Sequence, residues 1–170
     1  MTTTPELRAR LMEFLVEESA AIDERRYDDW LAMLSDDFVY AVPVPTARED
    51  LALPQYVEDQ YLAHESKSFL QMRFSRTSSD FAWAERPAAF QRHLVGNLRV
   101  HAEENDGPHP SWVVATNVMV VRSRLPETPT VSSAGRRDIV VETAEGLRLG
   151  QRLVHLDVEV PTDSQLSIIY

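Results

Sequence analysis

The order of elements along the chain predicts an α+β fold, with N-terminal helices packed on one face of a long, curved, mostly antiparallel sheet. Three observations predict it. Apolar residues recur at helical spacing in the first third of the chain. The rest alternates, or runs apolar, in strand-length segments separated by turns. Helices followed by a run of strands is the α+β pattern. With 170 residues, 44% hydrophobic and 26% charged, the chain has the size and composition of one globular domain, expected over residues 1–170.

Thr4 followed by Pro5 starts the first helix, because Thr can cap it and Pro suits its first turn. Leu7, Leu11, Phe14, Leu15 and Ile22 follow near helical spacing. A second short helix is expected from Tyr27 to Leu34, with Trp30, Leu31 and Leu34 on one face. Asp36-Asp37 ends it, and Phe38-Val39-Tyr40 reads as a short strand. Pro43 and Pro45 break regular structure, so residues 41–54 are expected to be a loop. Residues 55–77 read as a second helical region in one or two pieces, with Tyr56, Tyr61, Leu62, Phe69, Leu70 and Met72 as core candidates.

From Arg92 to Val100 the chain alternates, which predicts Leu94, Gly96, Leu98 and Val100 on one face and His93, Val95, Asn97 and Arg99 on the other. Residues 103–110 are a polar turn with Gly and Pro. Trp112 to Arg122 is nearly all apolar, as a central strand covered on both faces would be. A loop at 126–133, a hairpin of 135–143 with 147–160 around Glu145-Gly146, and a last short strand from Leu166 to Tyr170 complete the pattern.

A net charge of −10 disfavours nucleic acid, whose phosphates need a basic patch. Arg25-Arg26 and Arg136-Arg137 are too short to supply one. No apolar run approaches the roughly 20 residues of a membrane span, and the N-terminus lacks the pattern of a signal peptide. A cytoplasmic location is expected. There is no cysteine, which excludes disulfides, thiolate metal sites, a cysteine nucleophile and a self-contained iron–sulfur cluster.

The five histidines, His64, His93, His101, His109 and His155, have no i, i+4 pair, and neither HExxH nor a nucleotide-binding or GxSxG motif occurs. His101 with Glu103 and Glu104 is the nearest thing to a ligand cluster, but it precedes a turn, where charges are usually solvated. No metal site is expected. A metal-free chemistry would draw on Tyr27, Tyr40, Trp83, His93, Asn97 and Asp157, with His93 as general base if a carboxylate oriented it. The plainer reading is packing for the aromatics, and cross-strand ion pairs or interface contacts for Asp138 and Asp157 beside Arg136, Arg137 and Arg152.

Several segments, in order, resemble the β subunit of aromatic-ring-hydroxylating dioxygenases. They are Glu13 to Leu15 and Glu17 to Ala20; Asp23 to Leu31 with Leu34 and Asp36-Asp37; Tyr40 with Pro43; Arg73, Arg76-Thr77 and Ala82 to Glu85; Arg92 to Val95 with Asn97 and Val100; Arg122 to Leu125; Gly135 to Asp138; Arg152 with Leu156-Asp157; and the ending Leu166 to Tyr170. The set covers nearly the whole chain, and its specificity lies in the order of the pieces.

The resemblance implies a cone-shaped fold of the NTF2-like or cystatin-like class and an accessory role in dihydroxylation of an aromatic or related cyclic substrate. It implies an α-subunit partner carrying a Rieske [2Fe-2S] cluster and a mononuclear iron, a trimer of αβ pairs, and no cofactor or catalytic residue in this chain. Trp83, Glu85, Arg92, Arg122, Arg124, Arg136, Arg137 and Asp138 are then interface candidates. The chain departs from the family pattern at Val44-Pro45, Ala89-Phe90 and Ile139-Val140-Val141, where arginines are usual. The alternative is a stand-alone dehydratase, isomerase or cyclase of the same fold, using His93, Asn97, Tyr40 and Asp157.

Overall fold

The computed structural model describes residues 3–50, 52–77, 88–104, 109–158 and 168–170. Helix α1 spans Pro5–Asp23, α2 Tyr27–Ala32 and α3 Lys67–Thr77. The strands are β1 Leu34–Pro45, β2 Tyr56–Ser66, β3 Phe90–Glu104, β4 Ser111–Ser123, β5 Thr130–Thr143 and β6 Gly146–Leu156. They form one six-stranded sheet in the order β2-β1-β6-β5-β4-β3. Every pair is antiparallel except β1 with β6.

Thr4 caps α1 through its hydroxyl, which accepts from the Leu7 amide at 3.2 Å, with Pro5 in the first turn. Leu11, Leu15, Glu18 and Ile22 form its buried stripe, the i, i+4, i+7, i+11 set of one helix face. Arg25, at φ 58°, turns the chain into α2. Trp30, fully buried, meets the Phe74 ring of α3 edge-on at 5.4 Å, and Tyr27 stacks on the same ring at 4.3 Å. The three helices are thus joined to one core on the inner face of the sheet.

Several expectations need correction. Leu34 is the first residue of β1, so α2 is shorter than its pattern suggests. The strand does not stop at Tyr40 but runs through Pro43 and Pro45. The pairing with β2 shifts register on either side of Pro43, and such irregularities are where a sheet accepts proline. Residues 56–66 are strand, not helix: the segment pairs along β1, and tertiary pairing overrides its helix-forming composition. Leu70 is buried, but Tyr61, Phe69 and Met72 are exposed. Strand β5 begins at Thr130, inside the expected loop. Ile168–Tyr170 are buried without being a strand; Leu166 and Ser167 lie outside the described residues.

The largest correction concerns β3. A bulge lies between Gly96 and Arg99, which pair with Asn117 and Ala115; three steps on β3 match two on β4. Asn97 takes φ 56° there, a left-handed conformation that Asn tolerates better than most residues. The extra residue switches the faces. Before it, His93 points inward and Leu94 outward; beyond it, Leu98 points inward. His93 and Leu98 therefore share the inner face, and Asn97 does not join His93. Strand β4 is also not covered on both sides, since Asn117 and Met119 are exposed on its outer face.

Candidate functional site

The inner face carries an unusual load of charge. In β5 the inward positions are Ala134, Arg136, Asp138 and Val140, and in β6 they are Arg152, Val154 and Leu156. Arg152 and Asp138 are register partners. The Arg152 guanidinium holds Asp138 bidentately, Nε to Oδ1 at 2.9 Å and Nη2 to Oδ2 at 3.0 Å. It holds Glu18 of α1 just as closely, Nη1 to Oε1 at 2.8 Å and Nη2 to Oε2 at 3.1 Å. Glu18 also accepts from the Trp30 indole at 2.6 Å and lies 3.7 Å from Arg136 Nη1.

All four ionic side chains are fully buried. Burial alone would raise the Glu18 carboxyl; Arg152 and Arg136 overcome that and hold it at about 2. Burial opposes the charge of Arg152 as well, but Asp138 and Glu18 raise its pKa above the ordinary value. Arg136 has weaker partners. Burial, with Arg152 beside it, pushes it down to about 10. Two arginines against two carboxylates make the cluster neutral, the condition under which charge survives in a core. Chemically, the cluster ties α1 to β5 and β6. Its carboxylate oxygens already accept from arginine and tryptophan.

A second tie lies toward β3. Asp23, at the end of α1, accepts from the His93 amide at 2.8 Å and sits 2.6 Å from Nδ1. The other ring nitrogen, Nε2, faces the Ile169 carbonyl at 2.8 Å. A carboxylate does orient His93, as an acid–base dyad would require. Yet the nitrogen that would serve a substrate is engaged by the main chain. Next to it, Tyr40 is buried, with its hydroxyl accepting from the Tyr170 amide at 3.2 Å, and burial pushes the phenol up to about 12. Arg152 also donates to the Tyr170 carbonyl at 3.3 Å. His93, Tyr40 and Arg152 together hold residues 169 and 170 in the core.

Asn97 and Asp157, expected with His93 and Tyr40 in an acid–base reading, are on the outer face. Asp157 accepts from the Ser133 hydroxyl at 2.6 Å. Both line an open groove of about 580 Å³. The four residues therefore do not converge. Among the interface candidates, Arg92 and Arg137 are exposed on the outer face, and Arg124 is half-buried. Arg122 is buried, 4.0 Å from Glu127. Arg136 and Asp138 are inside the ionic cluster, because even positions of β5 point toward the helices. Trp83 and Glu85 lie outside the described residues. Tyr27 packs on Phe74. The His155 ring lies 4.3 Å from that of Tyr56, tilted by 35°, and burial with Arg137 nearby lowers its pKa.

His101 is exposed, and the Glu103 and Glu104 side chains lie outside the described residues. No group of three or more His, Cys, Asp or Glu among the described residues is placed to hold a metal ion. Sequence reasoning missed Glu18 as a site. Its phase on the apolar stripe of α1, opposite arginines at inward strand positions, is the signal that would have found it.

The family described as ring hydroxylating beta subunit matches residues 17–163. The benzene 1,2-dioxygenase subunit beta of Pseudomonas putida is 28% identical over 172 residues, covering 98% of this chain and 90% of that protein. Among solved structures, a naphthalene 1,2-dioxygenase with indole bound in its active site superposes with a TM-score of 0.80 at 18% identity. The match covers 94% of this chain and 83% of that one. The beta subunit of the Burkholderia mallei benzoate 1,2-dioxygenase gives 0.69 at 18% identity, covering 92% and 93%. The fold is the NTF2-like, cystatin-like cone.

Proposed function

The chain belongs to the ring-hydroxylating β-subunit family, and from that premise we propose that it is the accessory partner of an iron-bearing α subunit in the cytoplasm, assembled as a trimer of αβ pairs. The observation that carries this reading is the family match over residues 17–163. The α subunit carries the Rieske cluster and the mononuclear iron. A Rieske cluster needs two thiolates, and this chain has no cysteine, so its residues do not fit that group. The substrate class is an aromatic or related ring, as in the names of the relatives.

In this reading the β subunit supplies rigidity and a docking face. The ionic cluster fixes the helices to the sheet. The outer face, with Phe90, Leu94, Met119 and Val131 exposed and Arg92 and Arg137 among them, is the side offered to partners, since exposed apolar groups of this kind mark interaction surfaces. Co-expression with the α subunit of the same genome is expected to give one complex on sizing chromatography, with ring-hydroxylating turnover only when both chains are present. Two chains that elute separately under all conditions would defeat the reading.

A further inference from the structure

Four strands place a row of small and polar residues across the outer face. Gly96 of β3 pairs with Asn117 of β4, Asn117 with Gly135 of β5, and Gly135 with His155 of β6. A Cβ added at Gly96 or Gly135 would meet nothing within 4 Å. The glycines thus form the floor of the 580 Å³ groove rather than a close contact within the chain. Glycine inside a strand often marks a place where another backbone approaches.

The two walls differ. On one side Leu94 and Met119, register partners, are both about half exposed, at 56% and 45%. On the other side, one register row beyond the lining, Arg99 and Arg137 flank Ala115, to which both are paired; the charged residue of the lining itself is Asp157, whose carboxylate already accepts from the Ser133 hydroxyl. Two strand spacings separate these arginines by about 10 Å. Both are exposed, and neither makes a hydrogen bond or ion pair among the described residues. The same holds for the carboxamides of Asn97 and Asn117. A chain of net charge −10 thus places side by side, at the edge of the groove, two cations that have no partner among the described residues, next to two carboxamides of the lining of which the same is true.

We propose that this groove docks an extended, acidic segment of the α-subunit polypeptide. The assignment rests on the accessory-subunit reading above. The segment's main chain lies over the glycine floor, where Asn97 and Asn117 pair with its peptide groups. An apolar side chain packs on Leu94 and Met119, and carboxylates meet Arg99 and Arg137. Charge selects this occupant over the same face of a second copy, which would set its own Arg99 and Arg137 against these two arginines.

The test fills the floor and reverses the wall. Gly96→Val with Gly135→Val adds bulk into open space on residues suited to strands, so the melting temperature of the free chain is expected to hold or rise. Affinity for the co-purified α subunit is expected to fall roughly tenfold or more, equivalent to about 1.4 kcal/mol. Arg99→Glu with Arg137→Glu is expected to weaken association comparably and to flatten its salt dependence. Variants that bind the α subunit like the wild type, in both pairs, overturn the groove while leaving the accessory role intact. Loss of self-association with α binding retained also overturns it and makes a second copy the occupant. A wild-type chain that never binds the α subunit overturns both the groove and the accessory role.

Discussion

The two faces of the sheet handle polar residues in opposite ways. On the inner face Glu18, Asp138 and Arg152 are fully buried and bonded to one another, and His93 is bonded to Asp23 and Ile169. On the outer face Arg99, Arg137, Asn97 and Asn117 are exposed and find no side-chain partner among the described residues. The inner charges complete the fold; the outer ones are left for something outside the chain. A buried polar group without its partner costs stability; the Glu18, Asp138 and Arg152 charges avoid that cost by bonding to one another, while Nε and Nη2 of the buried Arg136 have no hydrogen-bond partner among the described residues. Exposed groups cost little when unpaired, so the outer set can be reserved for binding.

The sharpest way to break this contrast is at Arg152. Arg152→Met leaves Glu18 and Asp138 buried against an apolar neighbour, and removing one member of a buried ion pair costs about 3–5 kcal/mol. A large drop in melting temperature is expected; a change under about 1 kcal/mol in denaturant unfolding would mean the cluster is not as dry as its geometry indicates.

Glu18 adds a pH signature. Its folded pKa, about 2, lies below the ordinary 4.5, so the unfolded chain takes up this proton first as pH falls. The stability it contributes is fully present above about 4.5 and is lost as pH drops toward 2. The gap between wild type and Glu18→Gln is therefore expected to be widest near neutrality and to narrow from pH 4.5 downward. A gap independent of pH in urea titrations would contradict the assignment.

His93 separates structure from chemistry. His93→Ala removes two ties and is expected to cost about 1–3 kcal/mol, while turnover per iron in the assembled complex stays within about twofold, a barrier change of under ~0.5 kcal/mol. Loss of turnover with the complex intact would restore the acid–base reading. The smallest stability effect is expected at Phe90→Ser, within about 0.5 kcal/mol because the side chain is 79% exposed; its effect should appear in assembly instead.

Much of the fold was legible from local pattern. The Thr4-Pro5 start, the α1 stripe and the hairpin at Glu145-Gly146 are all local signals, and the structure has each. What failed depended on neighbours. Residues 56–66 contain good helix formers, and only pairing with β1 makes them a strand. Pro43 and Pro45 read as breakers because a register shift cannot be seen in one strand alone. The Asn97 bulge is a single inserted residue, yet it reversed the faces of β3 and separated Asn97 from His93. Asp138 beside Arg136 and Arg152 reads as a cross-strand ion pair or an interface contact; the cross-strand pair with Arg152 is there, while the interface role of Arg136 and Asp138 came only with the family resemblance. Their even spacing with Ala134 and Val140 pointed inward, but the compensating Glu18 lies more than a hundred residues away in sequence.

The most direct test of the contrast is to measure the dissociation constant for the α subunit after one double change on the outer face and one change on the helix side. Leu94→Asp with Met119→Asp alters exposed residues of the groove wall. Arg10→Ala removes an exposed ion pair with Glu142, on the other side of the sheet. The outer-face pair is expected to weaken binding roughly tenfold or more, about 1.4 kcal/mol, with Arg10→Ala leaving it unchanged. Weaker binding by Arg10→Ala alone, with the outer-face pair binding as the wild type does, would contradict the account.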